Sequence, residues 1–105
     1  MGRDAALASP AAREIFERAD AVLGLPLSRI CFEASGEDEL LRTEIQQPAI
    51  LTVSVALLRA LEEQARLEPA CVAGHSLGEY TALVAAGALA FEDAVRIVHA
   101  RGAYM

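Results

Sequence analysis

At 105 residues the chain has room for one small domain at most. Its formal charge is -6, from 15 acidic against 9 basic residues, and no cluster of basic residues interrupts it. That balance argues against nucleic acid or a membrane surface as a partner.

In chain order, Ser9-Pro10 opens a first helix, the serine as cap and the proline at the first helical position. Ile15, Ala19, Val22 and Leu23 share its apolar face, and Gly24 closes it. Pro26-Leu27-Ser28 starts a short helical turn carrying Ile30, Cys31 and Phe32. Residues 33–43 are acidic and polar and read as a loop with one weak helical turn, anchored by Leu40 and Leu41. Gln47-Pro48 then leads into the longest periodic segment, reaching about Ala65, with Ile50, Ser54, Leu57, Leu58, Leu61 and Ala65 as its expected buried stripe. Val53 and Val55 widen the apolar surface, so burial on more than one face is expected. Pro69 stops this helix. Residues 70–75 are apolar without alternation, as in a strand covered on both faces. A helix rich in small residues follows from Leu77 to about Ala86, and a last one begins near Phe91-Glu92-Asp93.

A single buried parallel strand cannot satisfy its own backbone groups and needs neighbours on both edges. The chain offers no second strand, so the expected fold is a mostly helical piece of a larger α/β domain with one central parallel strand at about 70–75. Cys31 and Cys71 stand in no metal-binding or redox spacing and read as buried thiols of a reducing compartment. No signal peptide is visible, and the expected location is cytoplasmic.

The chemistry concentrates where strand meets helix. Gly74-His75-Ser76-Leu77-Gly78 is a G-x-S-x-G pattern, the nucleophile elbow in which a serine sits on a sharp turn between a strand and a helix. Chance alone would supply such a match in roughly 3% of chains this long, so the strand-turn-helix context carries the weight. Ser76 is the candidate nucleophile, and the backbone N–H of Leu77 lies where an oxyanion would develop. A serine needs a base, usually histidine. His75 is expected on the opposite side of the strand from Ser76, packed or hydrogen-bonded beneath the turn, with contact to substrate as its second reading, and His99 on a helix surface, so neither is the expected base. Glu79 complements the helix dipole in the first turn. For Arg101 the residues leave two roles open: capping the end of the last helix, or gripping a substrate carboxylate with two parallel hydrogen bonds. Gln46 and Gln47 read by default as loop amides; lining the pocket is the second reading for Gln47.

Several stretches together resemble the malonyl-CoA:acyl-carrier-protein transacylase family and the related acyltransferase domains of fatty-acid and polyketide synthases. They are Gln46-Gln47-Pro48-Ala49-Ile50, Val72 to Tyr80, Ala85 to Leu89, Phe91 to Ala94 and Arg101-Gly102-Ala103-Tyr104-Met105, in matching order and spacing. The resemblance implies part of an α/β-hydrolase-like large subdomain over residues 1–105. It implies Ser76 acylated by malonyl-CoA, the Leu77 amide as one oxyanion donor, and Arg101 on the malonyl carboxylate. It further implies transfer to the phosphopantetheine thiol of an acyl carrier protein, with no cofactor. The family's Gly-Gln-Gly-Ser-Gln loop would precede Met1, and its catalytic histidine and ferredoxin-like small subdomain would follow Met105. Ala90 stands where a serine cap is common, a change worth about 1 kcal/mol. The rival readings are a serine carboxylester hydrolase of the α/β-hydrolase type, which needs no carboxylate-binding arginine, and a non-catalytic remnant. This segment alone is expected to be inactive.

Overall fold

The computed structural model describes the backbone of residues 1–105 and every side chain but that of Ala34. Its helices are α1 (Arg3–Ala8), α2 (Pro10–Leu23), α3 (Leu27–Phe32), α4 (Glu37–Leu40), α5 (Thr43–Gln64), α6 (Gly78–Ala85) and α7 (Phe91–Tyr104), with a 3-10 turn at Ala34–Gly36. The local signals at α2 act as read. Ser9 Oγ accepts the Ala12 N–H at 3.1 Å, Pro10 fills the first helical position, and Gly24 ends the helix in left-handed backbone. Helix α3 is capped from a distance: both carboxylate oxygens of Asp20 take hydrogen bonds from Ser28, one from its N–H and one from its hydroxyl.

Helix α5 is the hub, packed most extensively against α7 and α2, which also touch each other. Phe16, Leu51, Val55, Val95 and Val98 are fully buried at these contacts, and Phe16 meets Phe32 edge-on with ring centroids 4.7 Å apart. The buried stripe of α5 is Ile45, Pro48, Ala49, Thr52, Val55 and Ala56, not the expected one. Ile50, Leu57 and Leu61 are exposed instead. The helix is apolar on two faces, and the face carrying the smaller residues lets α2 and α7 come close. Leu41, expected as an anchor, is 77% exposed, while Leu40 packs on the core.

The expected central strand is corrected. No strand occurs among the described residues, and residues 70–75 run as an exposed irregular segment. A strand exists only through its ladder, and among the described residues this segment's backbone makes one hydrogen bond, His75 O accepting the Gly78 N–H. Cys71 is accordingly exposed, against expectation, while Cys31 is buried. Burial pushes the Cys31 thiol up to about 11.

Candidate functional site

The sharp turn forms without its strand. Ser76 is the one non-glycine residue with positive φ among the described residues, at 55°. Left-handed backbone is costly for a residue with a Cβ and is held only where its surroundings fix it. Here three short bonds hold it: Gly78 N–H to His75 O at 2.9 Å, Glu79 N–H to Ser76 O at 3.0 Å and Tyr80 N–H to Leu77 O at 3.0 Å. Gly74 makes the closure possible. A Cβ there would lie 2.0 Å from Gly78 O, so the chain entering the turn runs directly against the start of α6. The result leaves Ser76 exposed at the tip. The Leu77 side chain is buried beneath it, and the Leu77 N–H finds no acceptor among the described residues.

Arg101 arrives from α7. Its Nη2 donates to Ser76 Oγ at 2.9 Å, and its Nη1 donates to Gln47 Oε1. The guanidinium also lies over the Tyr80 ring, its carbon 5.7 Å from the centroid. Three residues, from α5, the turn and α6, thus converge on the guanidinium that α7 carries. Gln46 and Gln47 both lie inside α5, correcting the loop-amide reading; Gln47 is buried and Gln46 exposed. Tyr80 is the residue the sequence reading missed. It stands four positions after Ser76, the spacing that returns a helical side chain to the same face.

Neither histidine approaches the serine as a base. Against the expectation of a ring packed beneath the turn, His75 is exposed and its ring makes no hydrogen bond among the described residues. His99 Nδ1 instead lies 2.8 Å from the carbonyl of Glu44. Beside it, the Glu44 carboxyl is held below its usual range by its own backbone N–H and then by Arg42, which it meets at 2.9 and 2.5 Å. An open apolar groove bordered by Ile50, Ser54, Val72, Thr81 and Ala82 runs behind the turn.

The acyl transferase domain family matches residues 1–105. The malonyl CoA-acyl carrier protein transacylase of Bacillus subtilis (strain 168) is 49% identical over all 105 residues, which cover 32% of its length. The crystal structure of malonyl CoA-acyl carrier protein transacylase from Clostridium perfringens superposes with a TM-score of 0.92 at 38% identity, covering 100% of this chain and 33% of that one. A type II PKS acyl-carrier protein in complex with its malonyl-transacylase matches with a TM-score of 0.85 at 43% identity, over 93% of this chain and 31% of that one. The chain therefore spans about a third of the length of these relatives.

Proposed function

The chain belongs to the acyl transferase domain family, and from that we propose that it is part of an acyl-carrier-protein S-malonyltransferase working through a malonyl ester of Ser76. The observation that carries this reading is the guanidinium of Arg101 standing 2.9 Å from the hydroxyl of a serine held in left-handed backbone. A plain ester hydrolase has no use for a cation beside its nucleophile. An enzyme that selects a diacid thioester does.

In the proposed reaction Ser76 Oγ attacks the thioester carbonyl of malonyl-CoA, and a base outside residues 1–105 takes its proton. The Leu77 N–H stabilises the tetrahedral oxyanion, one of the two donors such a site needs. The C–S bond breaks and the thiolate of CoA leaves with that proton, giving malonyl-Ser76. The phosphopantetheine thiol of an acyl carrier protein then attacks the ester and releases the serine. Only one methylene separates the reacting carbonyl from the carboxylate, so Arg101 must stand next to Ser76 to read it. On acylation the guanidinium exchanges its bond to Oγ for the carboxylate and keeps Gln47 as its second partner.

Residues 1–105 are proposed as a partial large subdomain. In the longer protein the apolar segment 70–75 would become a central parallel strand once flanked by others. Its unpaired backbone and the exposed Ile50, Leu57 and Leu61 support that reading. A cytoplasmic location fits the two free thiols, and among the described residues no helix is long and apolar enough to cross a membrane.

Intact-mass analysis of the whole protein with malonyl-CoA tests the proposal. One malonyl adduct, mapped to the peptide carrying Ser76 and absent from Ser76→Ala, is expected. An adduct that survives Ser76→Ala, or rapid hydrolysis of p-nitrophenyl esters without any adduct, would contradict it.

A further inference from the structure

Pro48 lies inside α5, one turn after Glu44. Having no N–H, it cannot give the Glu44 carbonyl its helical hydrogen bond. The donor comes from another helix: His99 Nδ1, 2.8 Å away. A carbonyl only accepts, so this nitrogen carries the hydrogen. One turn along α7, Gly102 presses on the same place, where a Cβ would lie 2.6 Å from Thr43 O and 2.7 Å from Glu44 Cα. These two contacts flank Arg101 and fix the end of α7 on the first turns of α5. Gln47, one turn beyond Glu44, then meets the guanidinium.

We propose that His99 is a positioning residue for Arg101: its ring takes the place of the N–H missing at Pro48 and sets the register of α7 on α5. The arginine is thereby aimed at Ser76 and Gln47. The activity arm of the test rests on the acyl-transfer reading; the tie itself does not.

The test uses the whole protein and compares kcat/KM for malonyl-CoA and acetyl-CoA. His99→Leu removes the donor, and the malonyl-over-acetyl preference is expected to fall about fivefold, the loss of one hydrogen bond's worth of alignment, with acetyl transfer held. His99→Asn, whose side-chain amide N–H stands where Nδ1 does, is expected to restore most of the preference. Equal losses for both acyl groups, or no rescue by Asn, would overturn the proposal. A melting cycle adds an arm that needs no activity. Pro48→Ala gives the Glu44 carbonyl its own helical donor, so His99→Leu should lower the melting temperature less in that background; strict additivity would refute the tie. A whole protein that loads no malonyl contradicts the acyl-transfer reading alone, and the cycle still decides the tie.

Discussion

Ser76 concentrates the cost of the site in one residue. Its φ of 55° is a conformation that an L side chain adopts at a penalty of about 1 kcal/mol, while glycine adopts it freely. The whole protein with Ser76→Gly should therefore be more stable than with Ser76→Ala by about 1 kcal/mol, although both lack the nucleophile. Thermal melting of the two variants checks this, and a Ser76→Ala form as stable as Ser76→Gly would show an unstrained turn. The motif was legible here because Gly74 answers a local steric demand, a Cβ there striking Gly78 O, and Ser76 takes the left-handed position at the tip of the turn. Gln47 and Tyr80 were not, since their roles arise from where Arg101 lands, dozens of positions downstream.

Among the helices, legibility followed the range of the interaction. Ser9, Pro10 and Gly24 act within one turn, and α2 has the bounds they announce. Helix α5 starts at Thr43, ahead of the Gln47-Pro48 pair expected to lead into it. Its N-terminal turn tolerates Pro48 because His99, 55 residues from Glu44, satisfies the carbonyl that the proline leaves free. No local pattern contains that information. The choice of buried face has the same character: α5 carries two apolar stripes, and the partners α2 and α7 select one. The start of α7 offers a contrast with α2. Ala90 has the extended backbone of a cap, ψ 142°, but no side chain to accept a helix N–H. Ala90→Ser is expected to raise stability by about 1 kcal/mol, as read by denaturant unfolding; an unchanged midpoint would mean that those N–H groups already have partners.

At the scale of the molecule, three helices fold on one another and leave the segment feeding the site uncovered. Among the ties between them, Arg18 of α2 pairs with Glu92 of α7 and lies over the Phe91 ring, 5.5 Å from its centroid. Partial burial pushes the Glu92 carboxyl up, but its own backbone N–H and Arg18 pull it further down, below the ordinary 4.5. A depressed carboxylate contributes stability above its unfolded pKa and loses it as pH falls through the folded one. Wild type should thus lose stability relative to Glu92→Gln on acidification below about pH 4.5, by under about 1 kcal/mol because both partners are partly exposed. Parallel pH curves for the two proteins would dismiss the pair as a contributor.

Helix packing was legible in part and the missing strand was not, because a strand's existence depends on neighbours that residues 1–105 do not provide. The site survives that gap, since its turn is closed by hydrogen bonds within residues 75–80 and its arginine is carried by a packed helix. The most direct trial of the account is therefore Arg101→Ala in the whole protein, assayed for transfer of malonyl and acetyl groups from CoA to a carrier protein. Malonyl transfer should drop by about a hundredfold, the worth of a charge-assisted hydrogen bond to the carboxylate, while acetyl transfer holds or rises. A matching loss for both acyl groups would contradict the reading of Arg101 as the residue that recognises the carboxylate.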